Sequence, residues 1–237
     1  MSISGGASHR ASAGADVTVL EAHELYRFYH NGDEEVRALR GVTLIVKSGE
    51  TVVVVGPSGS GKSTLLACIA GLDDPDGGDV TILGKRMTRR PESERAALRA
   101  AHVGIVMQTG NLIDGLSVED NVRFQRALAR DRRSRETVEG LLTLVGLSAR
   151  RRARPAELSG GEYARAAFAA ALANEPALLL ADEPTGEVDA EAERALLAIL
   201  DRRRDAGGSA LVVTHSEALA SRADRVIRLH DGRILDG

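Results

Sequence analysis

A glycine-rich segment, Gly56-Pro-Ser-Gly-Ser-Gly-Lys-Ser-Thr64, has the residue types and the spacing that bind phosphate groups. It follows a run of four valines and precedes a stretch of helix formers that ends at Gly71. Glycines allow the backbone N–H groups of the loop to face a phosphate, and the next helix directs the positive end of its dipole there. Lys62 is then expected to reach the β- and γ-phosphates, and the Ser63 hydroxyl to hold Mg²⁺. The segment therefore predicts a nucleoside triphosphate site. Its residues are Gly56, Pro57, Ser58, Gly59, Ser60, Gly61, Lys62, Ser63 and Thr64.

Two acidic residues and a histidine follow apolar runs further along the chain. Asp182 and Glu183 come directly after the run 177–181, and His215 comes directly after the run 210–214. A carboxylate at a strand end near a phosphate loop makes the second contact to Mg²⁺, usually through water, and Asp182 fits this role. The adjacent Glu183 can polarise an attacking water as a general base. His215 can either reach a γ-phosphate or serve the structure alone.

Two further positions have both a functional and a structural interpretation. Gln108 follows the strand predicted over 103–107, and ligands bind at the carboxyl ends of such strands, although on position alone a surface glutamine is the better interpretation. In Leu158-Ser-Gly-Gly-Glu162, Ser159 is a natural N-cap for a helix predicted over 163–174. The two glycines expose the first N–H groups of that helix, which makes a second anion site or simply a well-capped helix.

The elements that must position these residues begin with an antiparallel sheet. Short strands are predicted over 17–20, 26–29 and 42–46, beside a parallel core that includes 51–55, 103–107, 177–181 and 210–214. Residues 226–229 and 233–235 predict a closing hairpin. Alternation makes Phe28 face the core and leaves Tyr26 and Tyr29 as candidates to stack on a purine base. The same two rings could instead cover the sheet.

Between residues 117 and 154 the strand patterns stop and helical patterns replace them. Ser117-Val-Glu-Asp120 resembles a capping box that opens a helix through Leu128, and a second helix is predicted over 134–145. Arginines are concentrated here, at positions 130, 132, 133, 135, 150, 151, 152 and 154. They could bind nucleic acid or an anionic membrane, but a solvated face is the interpretation that we favour.

Composition restricts the class of protein. The chain has 237 residues, 43% of them hydrophobic and only 3% aromatic, so its core must be built mainly from aliphatic side chains. A net charge of -3 gives no general attraction to nucleic acid. The single cysteine, Cys68, is expected to be a buried, inert thiol and suits a reducing compartment. No apolar run approaches the ~20 residues of a membrane helix, and no signal peptide is evident, so we expect a cytosolic protein that can sit against a membrane.

These segments, in this order, resemble the nucleotide-binding subunit of an ATP-binding-cassette (ABC) transporter over residues 17–235. The Leu158-Ser-Gly-Gly-Glu162 signature is the most specific part, because other phosphate-loop ATPases lack it. The resemblance implies ATP and Mg²⁺ as ligands, and Tyr29 as the aromatic residue that stacks on adenine. The implied catalytic residues are Lys62, Gln108, Glu183 and His215, and the implied metal-binding residues are Ser63, Gln108 and Asp182. ATP is also bound by the phosphate loop and by Ser159, Gly160, Gly161, Glu162 and Asp189.

Within the family, three segments resemble the branch that serves lipoprotein release and macrolide efflux, to which a cell-division relative also belongs. They are Val36-Arg-Ala-Leu-Arg-Gly-Val42, Asn111-Leu-Ile113 and Glu119-Asp-Asn-Val122. The chain also departs from the family pattern. Glu162 stands where glutamine is usual, and Tyr163-Ala-Arg165 stands where Gln-Gln-Arg is usual. Neither change removes a group that touches phosphate or metal.

The fold implied is α/β: a P-loop NTPase ABC cassette with a parallel core sheet, an N-terminal antiparallel β subdomain and an inserted α-helical subdomain. We expect a disordered tail over 1–16, an ABC ATP-binding domain over 17–237, and a helical subdomain at about 112–160.

The resemblance also implies partners. Two subunits would pair head to tail, so that each signature caps ATP held by the phosphate loop of the other. The dimer would serve a separate membrane permease at the cytoplasmic face and power export or extraction, with no nucleic-acid partner. Gln108 and an exposed Asn111-Leu-Ile113 would contact that permease. The alternative is a regulatory ABC ATPase of a cell-envelope or cell-division complex, with little transport.

Overall fold

The structure, a computed structural model, describes residues 17–31, 34–129, 136–186 and 188–236. The predictions for the tail 1–16 and for the arginines at 130, 132, 133 and 135 lie outside these residues. The described strands are β1 (Thr18–Asn31), β2 (Glu34–Lys47), β3 (Thr51–Val55), β4 (Gly77–Ile82), β5 (Lys85–Arg86), β6 (Val103–Val106), β7 (Leu178–Asp182), β8 (Ser209–Val213), β9 (Arg225–His230) and β10 (Arg233–Asp236). The described α-helices are α1 (Lys62–Ile69), α2 (Glu92–His102), α3 (Val118–Leu128), α4 (Val138–Leu144), α5 (Gly160–Ala171), α6 (Ala190–Asp205) and α7 (Glu217–Ala220).

An antiparallel sheet with strand order β2-β1-β4-β5 forms one layer. The two short strands predicted at its start are one strand of 14 residues, β1. The pairing of β1 with β2 shifts register between Ala22 and Leu25, and Glu24 has a φ of 45°. These irregularities interrupt the alternation of apolar side chains, which is why the sequence pattern divides at this point.

A second sheet has the order β10-β9-β3-β8-β7-β6. Its strands β9, β3, β8, β7 and β6 are parallel, and only β10 is antiparallel, to β9. The carboxyl ends of β3, β6, β7 and β8 therefore meet at one edge of the sheet. The strands predicted for this sheet and the closing hairpin are all present, with ends that differ by at most one residue.

The parallel sheet is buried on both faces, so its strands read as continuous apolar runs rather than alternating ones. Val52 and Val54 of β3 point into a core shared with α1 and the antiparallel sheet. Val53 points the other way, into a core built with α3, α4, α5 and α6. The molecule is thus built in layers, with the phosphate-loop strand at the centre, and the α/β fold class predicted from the sequence is confirmed.

The segment between β6 and β7 is helical, as predicted. Ser117 caps α3 by accepting a hydrogen bond from the Asp120 N–H. Thr137 caps α4 in the same way, so that helix begins after the position predicted for it. Short 3₁₀ turns at Ser148–Arg150 and Pro155–Glu157 lead into α5, which begins three residues earlier than predicted because its cap is Ser159.

Candidate active site

The phosphate loop between β3 and α1 forms one wall of a cleft of about 1310 Å³, the central cleft. Gly56 is required in this loop because a Cβ there would lie 2.1 Å from the carbonyl oxygen of Leu229 in β9. Gly61, the N-cap of α1, has a φ of 102°, and no side chain caps the helix, so its first N–H groups are open to an anion. Lys62 Nζ donates to the carbonyl oxygens of Gly56 and Pro57, at 2.8 and 2.9 Å, which holds the ammonium group against the loop.

Most of the predicted site residues line this cleft, and they come from widely separated parts of the chain. Those residues are Tyr29, Gly56, Pro57, Ser58, Gly59, Gly61, Lys62, Ser63, Thr64, Gln108, Gly160, Asp182, Glu183 and His215. Ser60, Ser159, Gly161, Glu162 and Asp189 are not among the described residues that line it.

Asp182, at the carboxyl end of β7, is only 4% exposed. Burial raises the pKa of its carboxyl group above the ordinary value, and the negative charge of Glu183 adds to this. The Ser63 hydroxyl and the Lys62 ammonium act in the opposite direction, because both favour the ionised carboxylate. The Ser63 hydroxyl therefore lies close to the Asp182 carboxyl group, although the two residues come from separate helix and strand ends.

Glu183 and His215 form a pair beside Asp182. The Nδ1 atom of His215 lies 2.9 Å from Oε2 of Glu183, and the backbone N–H of His215 donates to the same oxygen at 3.2 Å. Glu183 has a φ of 46°, a conformation that glutamate rarely adopts, and its N–H is bonded to the Val213 carbonyl of β8. Ser216, next to the histidine, donates to Glu193 of α6 at 2.8 Å. This geometry fixes the Glu183 carboxylate at the cleft, with its Oε2 atom bonded to His215.

Tyr29 is the aromatic residue of β1 that lines the central cleft, and Tyr26 is not among the described lining residues. The guanidinium carbon of Arg27 lies 4.6 Å from the centre of the Tyr29 ring, and the Tyr29 hydroxyl donates to Asp73 at 2.9 Å. Arg27 itself pairs with Asp73 at 2.8 Å. Burial raises the pKa of the Tyr29 hydroxyl above its ordinary value, and a hydrogen bond with Thr64 offsets part of this rise. One face of the ring is therefore covered by a cation, and the side chain is fixed beside the phosphate loop.

The prediction that Phe28 faces the core is wrong. Phe28 is only half-buried, and its ring centre lies 6.3 Å from that of Tyr26. The pairing of β1 and β2 shifts register between Arg27 and Phe28, so simple alternation does not apply at this point.

Gln108 lies in the loop that follows β6, and it lines the central cleft. Asn111 closes this loop, because its Oδ1 accepts the Met107 N–H and its Nδ2 donates to the Met107 carbonyl, each at 2.6 Å. The expectation that residues 111–113 are all exposed is wrong. Leu112 is 7% exposed and packs in the core with α3 and α5, whereas Ile113 is 45% exposed.

The signature segment contributes Leu158 and Gly160 to the lining of the central cleft. Ser159 is exposed but its hydroxyl caps α5, accepting the Glu162 N–H at 3.2 Å. The Glu162 carboxylate in turn accepts a hydrogen bond from the Ser159 N–H at 2.9 Å, and Arg150 lies 3.1 Å from the other carboxylate oxygen. That backbone N–H, together with Arg150, lowers the pKa of the Glu162 carboxyl group. The glutamate of the signature thus completes the capping box of α5, and its charge faces Arg150.

Asp189 caps the neighbouring helix, α6. Its Oδ1 accepts the N–H groups of Glu191 and Ala192, at 3.1 and 2.8 Å. The first turns of α5 and α6 lie against each other here, since a Cβ on Gly161 would lie 2.8 Å from the Cβ of Ala192. The second glycine of the signature is therefore needed for close helix packing within the subunit.

Sequence reasoning missed the residues that support this site. Arg27 and Asp73 hold Tyr29, and Asn111 and Tyr163 hold the loop of Gln108. Asp73 lies 44 positions from Tyr29, so no local pattern connects the two. No periodicity in the sequence connects Asn111 with Tyr163, which are 52 positions apart.

A phosphate loop after the central strand of a parallel sheet, with Asp182, Glu183 and His215 at adjacent strand ends, defines a phosphate-loop ATPase. The family model described as ABC transporter matches residues 39–186. The chain belongs to the ABC transporter family and is an ATP-binding ATPase of that family.

Relatives of the predicted branch support this. The lipoprotein-releasing system ATP-binding protein LolD of Zymomonas mobilis is 39% identical, with 92% of this chain and 95% of that protein covered. The macrolide export ATP-binding/permease protein MacB of Hyphomonas neptunium is 40% identical over 92% of this chain, which spans 34% of that longer protein. The resemblance to the branch of lipoprotein release and macrolide efflux is confirmed.

A solved structure shares the fold. The ATP-binding cassette MJ0796, in a dimeric post-hydrolysis state bound to ADP and Pi, superposes with a TM-score of 0.86 at 33% identity. The match covers 92% of this chain and 97% of that one. No helix in the described ranges has the length and apolar character that crossing a bilayer requires.

Proposed function

We propose that this chain hydrolyses MgATP to power a transporter whose membrane-spanning part is a separate permease. The observation that carries the proposal is the arrangement of three pairs in the central cleft: Lys62 on the phosphate loop, Ser63 beside Asp182, and Glu183 beside His215. These groups can bind a triphosphate, hold a metal ion and activate water, which are the tasks of ATP hydrolysis.

The donor set fits Mg²⁺. Ser63 and Asp182 offer a hydroxyl and a carboxylate oxygen, and Mg²⁺ is usually bound by one or two such oxygens together with substrate phosphates and water. The described residues contain no group of three or more His, Cys, Asp and Glu that could hold a metal by itself. Ser63, Asp182 and Gln108 would hold the ion, which when bound neutralises charge on the phosphates.

Glu183 is the proposed general base and His215 its partner. The bond from His215 occupies Oε2 of Glu183, which leaves Oε1 free to orient an attacking water. Tyr29 is the proposed adenine platform, because its ring lies at the cleft beside Thr64 and is backed by Arg27.

Two copies of the chain are proposed to act together. Gly160 lines the central cleft, whereas Ser159, Gly161 and Glu162 are not among its described lining residues. The N-terminal cap of α5 is therefore available to contact a second subunit. The dimeric state of the similar cassette bound to ADP and Pi supports this pairing. In that arrangement Ser159, Gly161, Glu162 and Asp189 would complete the ATP site of the partner.

The permease is proposed to dock beside the Gln108 loop, at the cytoplasmic face of the membrane. Apolar side chains that remain exposed there support this: Ile113 at 45%, and Phe124 and Leu128, one turn apart on α3, at 42% and 48%. They follow a loop whose first residue lines the ATP cleft, so contact with the permease and contact with nucleotide can influence each other.

The test is purification of the tagged chain from native membranes, followed by reconstitution with the membrane protein that accompanies it. We expect turnover to rise when the membrane protein is added and to be abolished by Lys62→Ala. Ile113→Asp should weaken the stimulation and leave turnover of the isolated chain unchanged. A turnover rate that does not change when the membrane protein is added would favour a regulatory ATPase instead.

A further inference from the structure

The loop that carries Gln108 is closed by a single side chain. The two 2.6 Å bonds between Asn111 and the backbone of Met107 leave only three residues, 108–110, between the closing points. The second half of the loop is fixed separately, because the buried Asn121 of α3 accepts the Ile113 N–H at 2.7 Å and donates to carbonyls as far as Ser117. A movement of Asn111 is therefore expected to move Gln108 with it.

Asn111 is also bound to α5. Its backbone N–H donates to the hydroxyl of Tyr163 at 3.1 Å, and Tyr163 belongs to the first turn of that helix. The Tyr163 N–H is bonded to the carbonyl of the helix cap, Ser159, at 2.8 Å. A short chain of bonds thus connects the helix start that bears the signature with the loop that bears Gln108.

Tyr163 is itself held firmly. Its ring packs against the core formed by α3, α4, α5 and α6, and it lines the central cleft together with Asn111 and Gln108. The phenol oxygen is held on a rigid ring, so a shift of α5 moves the acceptor of the Asn111 N–H with it. This residue is also one of those at which the chain departs from the family pattern.

We propose that the Tyr163 hydroxyl is a positioning group that ties the Gln108 loop to α5 and so places Gln108 for ATP hydrolysis. This rests on the proposed role of Gln108 at the metal and γ-phosphate. Tyr163 does not act on the phosphates itself. Its loss should slow turnover without weakening ATP binding, because Lys62, the phosphate loop and Tyr29 are untouched.

The test uses Tyr163→Phe, with Tyr26→Phe as the matched control, since Tyr26 is an exposed tyrosine on β1 and is not among the described cleft residues. Hydrogen exchange of the full chain reports the loop directly. Loss of one hydrogen bond should speed exchange at the Asn111 amide by roughly 2- to 12-fold in Tyr163→Phe and leave it unchanged in Tyr26→Phe. Equal exchange in the wild type and both variants overturns the proposal.

Kinetics supply the second readout. We expect kcat for MgATP to fall by roughly 2- to 12-fold in Tyr163→Phe, with KM within about twofold of the wild-type value. In a Gln108→Ala background the same substitution should cause no further fall in single-turnover rate, because the group being positioned is already gone. An equal fall in both backgrounds rejects the proposal.

The hydrogen-exchange measurement and the kinetic measurement distinguish this inference from the proposed function. A wild-type chain without turnover would count against the proposed function, and hydrogen exchange would still decide whether Tyr163 holds the loop. The exchange arm also decides the matter if Gln108→Ala leaves no measurable turnover.

Discussion

At the scale of single residues, the backbone of Glu183 is the most constrained part of the site. A φ of 46° is costly for a residue with a Cβ, and the hydrogen bond from its N–H to Val213 in β8 keeps it there. The conformation turns the side chain away from the direction of β7 and towards His215. A strand-end glutamate of ordinary geometry would not make that contact.

Glu183→Gln is expected to bind ATP and to lose hydrolysis by ~10²-fold or more, because an amide cannot accept the proton of an attacking water. Steady-state turnover and nucleotide binding measure the two effects separately. Glu21→Gln, at an exposed position on β1, is the matched control and should keep full activity. Near-normal turnover of Glu183→Gln would move the role of base to His215.

Cys68 should be inert in the folded protein. It is fully buried in α1, and burial raises the pKa of its thiol to about 12, so the reactive thiolate is absent at pH 8. We expect a thiol reagent to label the native chain far more slowly than the chain in denaturant. Since the chain has one cysteine, the label count is unambiguous, and prompt labelling of the native protein would refute the assignment.

At the scale of elements, the sequence predicted what depends on local pattern. The apolar runs, the caps Ser117 and Ser159 and the glycine loop are local signals, and each element that they predict is present. The sequence could not predict contacts between distant segments, such as the ion pair between Arg27 and Asp73. The buried position of Leu112 belongs to this group, since three consecutive loop residues carry no periodic signal.

Gly161→Ala tests the packing of α5 against α6. The new methyl group would lie 2.8 Å from the Cβ of Ala192, so one helix start must move, and overpacking of this kind costs about 1–3 kcal/mol of unfolding free energy. Denaturant unfolding measures the loss. Gly115→Ala is the control, since a Cβ there meets nothing within 4 Å.

The double variant Gly161→Ala with Ala192→Gly should recover part of that stability, because it returns the lost space. A single variant as stable as the wild type would show that the two helix starts can separate freely.

At the scale of the whole molecule, the phosphate loop and the start of α5 both contribute residues to the lining of the central cleft. Separate defects in these two segments can therefore be assigned to one subunit or to two. Lys62→Ala removes the ammonium group that is expected to contact phosphate. Ser159→Arg replaces the hydroxyl that caps α5 with a bulky, charged side chain.

Mixing Lys62→Ala with Ser159→Arg should restore activity, since a head-to-tail dimer then contains one intact site. The matched control is wild type mixed with an excess of the double variant. Head-to-tail pairing places one defect in each site of that mixed dimer, so the double variant should inhibit the wild type. Sites formed within single subunits would give the opposite pair of results, with no restoration and no inhibition.

The tyrosines give the molecule a built-in optical signal. The chain has three tyrosines and no tryptophan, so its near-ultraviolet emission comes from tyrosine alone. Tyr29 and Tyr163 both line the central cleft, and the third, Tyr26, is not among its described lining residues. Replacing Tyr26 with phenylalanine would leave a protein whose entire emission arises from two residues that line this cleft, so ligand arrival can be followed without attaching any dye.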